Sequence, residues 1–459
     1  MNKSRLTLLT TLILISCASC GVVDLLPFRA TLTPTPTTSP TATVQPSPTV
    51  QPTPTAVTPP TESTLAGDVA FFYGDWDSAL DLYLQTIENS PSPTEESGAL
   101  LGLGKVYNQL EQYPQALDVL RRLLIAYPDS AHTAEAQFEL AQTYTALDRH
   151  LEAASAYEAY LERNPGVIDS YIQEWRGDAY AAAGQHLASI EAYQSAIAAG
   201  GGDVHGTQMK IGLAYAALGE HLTAVIVYQD IYDNTSNDYL KARADYLLGQ
   251  SFSALENPTQ AQAAYLDAVE NYPLSYDAYL SLLELVNADY PVNDLDRGLV
   301  NYFAGKYALA IDAFDRYLSQ PLPEPVEGET PEYNFGTALY YKGFALQRSG
   351  NSEAALLAWS ELIENYPEDD YWDEAWEFKA YTEWAYLSLY AQGVQTLVDF
   401  VNDNPLHYRA AEFLFDAARV EEYAQNYTEA IALWERVAIE YASSDYALKS
   451  IFLALNPFF

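Results

Sequence analysis

His150, His186 and His221 recur at steps of 36 and 35 residues, so they share one place in a repeating pattern. Imidazoles stacked in register could form a ladder of metal sites. Packed helices, however, lie about 8–10 Å apart, whereas a shared zinc needs its ligands about 2 Å from one ion. The equivalent turns elsewhere carry Trp76, Tyr113, Tyr307 and Tyr427, so the histidines read as wedges in a turn. Gly200-Gly201-Gly202 is not followed by Gly-Lys-Ser/Thr and reads as a spacer, not a phosphate cradle. Glu368-Asp369-Asp370, with Asp373 and Glu374, lacks the ligand spacing of a calcium loop. It reads as a solvated helix start favoured by the helix dipole. Both cysteines, Cys17 and Cys20, lie in the first 20 residues. The rest of the chain therefore holds no disulfide, thiolate metal site or cysteine nucleophile. No nucleophile–base–orienter set is visible, although a triad scattered in sequence stays open. The reading is of no cofactor, no metal and no catalytic residues.

The elements behind these positions repeat. Taking one small residue of each second helix as a marker gives Ala79, Ala116, Ala153, Ser189, Ala224, Ala261, Ala310, Ala355, Gly393 and Ala430. The steps are 37, 37, 36, 35, 37, 49, 45, 38 and 37 residues. Apolar spacing of i, i+3, i+4 and i+7 runs through residues 62–455, which predicts helices throughout. Gly104, Gly177, Gly212, Gly249, Gly298 and Gly343 each precede a marker by twelve residues. On a first helix they let the second approach closely, and the marker alanines, among them Ala116, Ala224, Ala261, Ala310, Ala355 and Ala430, do the same from the other side. Four residues after the marker comes a large plug: Tyr83, Leu120, Tyr157, Tyr193, Tyr228, Tyr265, Phe314, Trp359 or Trp434. A proline twelve residues after many markers, as at Pro128 and Pro273, ends the second helix. This pattern resembles the tetratricopeptide repeat family, whose period is about 34 residues. The expected fold is all-α, a right-handed superhelical solenoid of about ten tetratricopeptide-like helix pairs, regular over residues 62–274 and divergent over 275–455.

Two steps are long. The first holds an extra helical stretch, about Ser275 to Ala288, and the second holds a loop from Pro321 to Glu329. Such insertions read as drift between repeats, with a binding face as the sharper alternative. The repeat around Gly393 is weak and carries Trp372, Trp376, Phe378, Tyr381, Trp384, Tyr386 and Tyr390. A helix buried on all sides accounts for these rings better than a sugar-stacking platform. Residues 444–459 read as an incomplete final repeat, so that either the chain continues in its parent gene or this end docks on something.

Lys3 and Arg5 precede a short apolar run to Ile15, which reads as a signal peptide over residues 1–16. Leu14-Ile15-Ser16-Cys17 resembles the bacterial lipobox, and that resemblance implies cleavage before Cys17 and lipid attachment to its thiol, with an ordinary secretory signal cut near Gly21 as the alternative. Residues 17–61 then hold the anchor site and a stalk, uncharged from Thr31 to Thr61 with nine prolines between Pro34 and Pro60. Such a segment cannot build a core and favours extended polyproline II.

The chain has 22 basic and 62 acidic residues, a formal charge of −40. That surface repels nucleic acid and anionic lipid, so contact with a membrane is expected through the lipid anchor only. The expectation is an exported, lipid-anchored, extracytoplasmic scaffold of the cell envelope with no activity of its own. The tetratricopeptide resemblance implies protein or peptide ligands in a concave groove, with cell-wall components as a second class. The alternative rests on Tyr272-Pro273, Asp277-Ala278-Tyr279, Arg297-Gly298 and Ala310-Ile311-Asp312-Ala313-Phe314. These look like the superhelical region of exported peptidoglycan lytic transglycosylases, here without the catalytic domain. Glu96-Ser97-Gly98 is similar to the Glu-Ser step of that domain, but the later glycine-rich part is missing and the likeness reads as chance. Tyr127-Pro128-Asp129-Ser130 resembles, more weakly, the repeats of envelope-assembly lipoproteins.

Overall fold

The computed structural model describes residues 60–89, 91–166, 168–320 and 334–455. The signal peptide, Cys17, nearly all of the stalk, the loop from Pro321 and the last four residues lie outside the described residues. Two compact units are distinguished, Met1–Leu147 and Asp148–Phe459. The first contains α1 (Pro60–Phe72), α2 (Trp76–Glu88), α3 (Pro93–Gln109), α4 (Tyr113–Ala126) and α5 (Thr133–Ala146). The second contains α6 (His150–Arg163), α7 (Asp169–Ala182), α8 (His186–Ala199), α9 (Val204–Ala217), α10 (His221–Asn234), α11 (Asp238–Ala254) and α12 (Pro258–Asn271). It continues with α13 (Tyr276–Asn287), α14 (Asp294–Phe303), α15 (Tyr307–Leu318), α16 (Phe335–Arg348), α17 (Ser352–Asn365) and α18 (Trp372–Tyr381). Its last helices are α19 (Tyr390–Asp403), α20 (Ala410–Tyr423), α21 (Tyr427–Glu440) and α22 (Asp445–Leu455). The described residues contain no strand. The first helix starts at Pro60, where proline suits the first helical turn. The extra stretch of the long step is α13, capped by Ser275, whose hydroxyl accepts from Asp277 N at 3.1 Å.

All ten turns that lead to a marker helix share one backbone feature. The residue five before the marker has positive φ: Gly74, Glu111, Asp148, Gly184, Gly219, Glu256, Gly305, Gly350, Ser388 and Gln425. In eight of these turns the next amide reaches back five residues to close the preceding helix. Gln185 N donates to Tyr180 O at 2.8 Å, Glu220 N to Tyr215 O at 2.9 Å and Asn351 N to Leu346 O at 2.9 Å. This is the left-handed helix stop. Five of the ten residues are not glycine and so carry a steric cost of about 1–2 kcal/mol each. The tertiary packing of the pair holds them there, and their identity leaves the turn unmarked in the sequence.

Each early glycine makes room for the plug of its own pair. A Cβ on Gly104 would lie 2.4 Å from Leu120 Cδ2, one on Gly177 2.4 Å from Tyr193 Cε1, and one on Gly212 2.3 Å from Tyr228 Cε1. The same holds at 2.3 Å for Gly249 with Tyr265, Gly298 with Phe314 and Gly343 with Trp359. Gly67, also twelve residues before its marker, would meet Tyr83 Cε1 at 2.7 Å. Two of these glycines are followed by aspartate, and the plug's phenol bonds to it. Tyr83 Oη donates to Asp68 at 2.7 Å and Tyr193 Oη to Asp178 at 2.8 Å. Gly212 is followed by Leu213, and Tyr228 Oη is buried with no partner. Tyr228→Phe is therefore expected to raise stability slightly or leave it unchanged. Tyr193→Phe should cost about 1.5–3 kcal/mol, the range for a hydrogen bond to a charged group. Urea unfolding of the two variants side by side checks that only Tyr193→Phe is destabilised.

The weak repeat around Gly393 is a regular pair with one extra residue. Thr382–Tyr386, directly after α18, is a single π turn. Leu389 N bonds to Glu383 O at 2.7 Å, six residues back instead of five. A π turn absorbs one inserted residue without ending the helix. The small residue of this first helix is thus Ala380, thirteen residues before the marker, and a Cβ on Gly393 would meet Ala380 O at 2.9 Å. The aromatic run is not buried on all sides. Phe378 is buried, Trp372, Trp376, Tyr381, Trp384 and Tyr390 are half-buried, and Tyr386 is exposed. The π turn rotates the end of the helix, so its rings divide between core and surface.

Candidate ligand trough

In the first unit, α1, α3 and α5 are the first helices of successive pairs, and they line an open trough of about 700 Å³. Helix α1 supplies Thr61, Thr64, Leu65, Asp68, Phe71 and Phe72, and α2 supplies Trp76 and Tyr83. Helix α3 supplies Glu95, Gly98, Leu101, Gly102 and Lys105, and His132, just before α5, and Glu135 in its first turn add to the lining.

The floor is built by the glycine–plug rule. The Tyr83 ring lies against both Gly67 and Gly102, where added Cβ atoms would stand 2.7 Å and 2.3 Å from it. Its buried hydroxyl, with its pKa pushed well up first by burial and then by the Asp68 hydrogen bond, holds the Asp68 carboxylate at the trough surface. Gly98 gives His132 its seat, with 3.3 Å from a would-be Cβ to Nε2. Lys105 is ion-paired with Glu135. Glu95 closes a capping box with Ser92, whose amide donates to Oε2 at 2.8 Å, and it accepts from the Thr61 hydroxyl. These neutral donors, Thr61 first, hold the Glu95 carboxyl below its usual range. Phe71 and Trp76 meet edge to face at 5.0 Å, and Phe72 is 82% exposed.

The residues singled out for chemistry have structural surroundings. His150, His186 and His221 each open a helix and are half-buried. Among the described residues no group of three His, Cys, Asp or Glu side chains is arranged to hold a metal ion. Glu96 pairs with Arg122 and accepts from Tyr127 Oη at 2.5 Å, while the fully buried Ser97 donates to Thr94 O at 2.9 Å. Gly200 and Gly201, both with positive φ, follow the end of α8. The acidic run is not a solvated helix start throughout. Asp373 is buried, accepts from Tyr408 Oη at 2.8 Å and faces Arg409 at 3.7 Å. Burial, then Asp373, pushes Glu374 up to about 8. The incoming Tyr408-Arg409 covers what the sequence leaves open.

The packing residues Gly104, Gly177, Gly212, Gly249, Gly298 and Gly343 lie between paired helices and not in the trough. Asp68, Gly102, Trp76 and Lys105 line it instead. Gly67-Asp68 sits at the same offset from its marker as Gly177-Asp178, and that recurrence is the signal that could have found them.

Family models described as tetratricopeptide repeat match residues 95–165, then 138–204, 176–239 and 246–288, and finally 337–369. No curated protein matches the chain. Among solved structures, a crystal structure of MamA protein is 24% identical, covering 38% of this chain and 90% of its own, with a TM-score of 0.33. A tetratricopeptide repeat protein from Parabacteroides merdae is 13% identical over 62% of this chain and 98% of its own, with a TM-score of 0.36. PilF of Pseudomonas aeruginosa is 15% identical over 49% and 97%, with a TM-score of 0.34. The chain therefore carries tetratricopeptide repeats, and its fold class is an all-α solenoid of such helix pairs.

Proposed function

We propose that this protein is an exported, membrane-anchored scaffold of the cell envelope that holds protein or peptide segments and catalyses nothing itself. The observation that carries the binding role is the trough across α1, α3 and α5, whose floor is the Tyr83 ring seated on glycines and whose walls are aromatic and acidic. Exposed aromatic rings supply contact area at low entropic cost. Support for export and anchoring comes from the apolar leader and the lipobox-like residues before Cys17. No helix among the described residues is long and apolar enough to cross a membrane.

Two measurements test the reading. A photo-crosslinker at the exposed, trough-lining Gln109 should give a discrete protein adduct in envelope preparations. Thr94→Trp, which fills the trough from an exposed position, should abolish it. An adduct unchanged by Thr94→Trp would contradict binding in the trough. Labelled fatty acid should be incorporated by the native chain and not by Cys17→Ser, and equal labelling would remove the anchor.

A further inference from the structure

We propose that the trough selects segments in which a lysine or arginine stands beside an apolar residue. This rests on the reading of the trough as a peptide site and names its ligand.

Charge complementarity carries the inference. The trough holds three carboxylates, Asp68, Glu95 and Glu135, against one lysine, Lys105, and one histidine, His132. That lysine is already taken by Glu135. Asp68 and Glu95 receive hydrogen bonds from Tyr83, Thr61 and Ser92, all neutral donors. Their negative charge is therefore fixed in place and not cancelled. Asp68 is also tied to the core, because the phenol that orients it is locked between Gly67 and Gly102.

Helix geometry places the apolar half of the site. Leu65, Phe71 and Phe72 stand three or four residues from Asp68, one turn away on the same face. A basic side chain whose head reaches Asp68 lays its methylene stem along these groups, and the neighbouring Phe71–Trp76 pair offers ring faces to the cation. An acidic segment meets three carboxylates instead. A neutral apolar segment fills the aromatic wall and leaves Asp68 partly desolvated without a counter-charge.

The test must separate this trough from the general attraction of a chain with a charge of −40. Phage-displayed random heptapeptides are panned against the full chain, Asp68→Asn, Thr94→Trp and the control Asp81→Asn. Asp81 is exposed on α2 outside the trough. Asparagine at 68 still accepts from Tyr83, so the fold is kept while the charge is lost. The native chain and Asp81→Asn are expected to enrich Lys or Arg next to apolar residues. Asp68→Asn should lose that preference and bind a synthetic copy of the winning peptide about tenfold more weakly. Enrichment of neutral or acidic sequences that Thr94→Trp abolishes would overturn the cation inference and leave the peptide-binding reading standing. A basic preference that Asp68→Asn and Asp81→Asn weaken alike would also overturn it, as bulk electrostatics. Failure to enrich any sequence would overturn both.

Discussion

Gly343→Ala is expected to destabilise the second unit by about 1–3 kcal/mol, although alanine is the better helix former. The added Cβ would stand 2.3 Å from Trp359 Nε1 and 2.4 Å from Cε2. Trp359 is fully buried and its indole N–H donates to Tyr340 O at 3.2 Å, so the ring cannot yield without losing that bond. The tenth pair shows the alternative: Ala418 stands twelve residues before its marker, and the indole N–H of its plug, Trp434, is buried without a partner. Trp359→Leu alone should cost about 2–4 kcal/mol through the cavity it leaves. If glycine and plug are one packing unit, the double variant should cost little more than Trp359→Leu alone. A coupling of at least about 1 kcal/mol is then expected. Because repeat arrays can unfold in parts, the readout is hydrogen exchange of the amides in α16 and α17. Strictly additive effects would show that the two residues do not share a space.

The second large effect concerns pH. Asp245, on α11, is 4% exposed and its Oδ2 lacks a hydrogen-bond partner. Burial, then the charge of Asp267, pushes its carboxyl up to about 9. Nearby, Asp267 accepts from Tyr232 Oη at 2.7 Å, and Tyr232 meets Tyr272 at 3.1 Å. Asp296, Asp416 and Glu374 are raised too, to about 6, 7 and 8, each first by burial. A carboxyl with a raised folded pKa binds its proton more tightly in the native state. Its contribution is fully present near pH 4 and is lost as pH rises through the folded value. Stability should therefore fall from about pH 4 to about pH 9, opposite to the usual behaviour of ion-paired carboxylates. Relief of self-repulsion on acidification acts in the same direction. Asp245→Asn should leave stability nearly unchanged at pH 4 and raise it by at least about 2 kcal/mol at pH 8.5. Thermal unfolding and exchange of the 238–272 amides across this range would reveal it. A parallel pH profile in the variant would show that Asp245 is ionised in the fold.

Much of the fold was legible because small residues and plugs recur along the chain. Gly177 and Tyr193 are sixteen residues apart in sequence and in contact in space. That fixed offset follows from two helices and one turn of constant length. Where one residue is inserted, as in Thr382–Tyr386, the offset breaks and the repeat looks degenerate although its backbone is continuous. The trough was less legible. Asp68 and Phe72 belong to α1, Lys105 to α3 and Glu135 to α5, and nothing local marks them as neighbours.

By itself, then, the sequence determined the helix pairs and the place of the extra helix. Periodicity is a local property, and each pair buries its own contact. Only the tertiary structure decided that the Asp373–Glu374 run would be covered, that Asp245 would be buried beside Asp267, and that three first helices would join into one acidic and aromatic trough. Burial and charge neighbourhood depend on what the adjacent pair brings over each residue, and that depends on how the pairs stack.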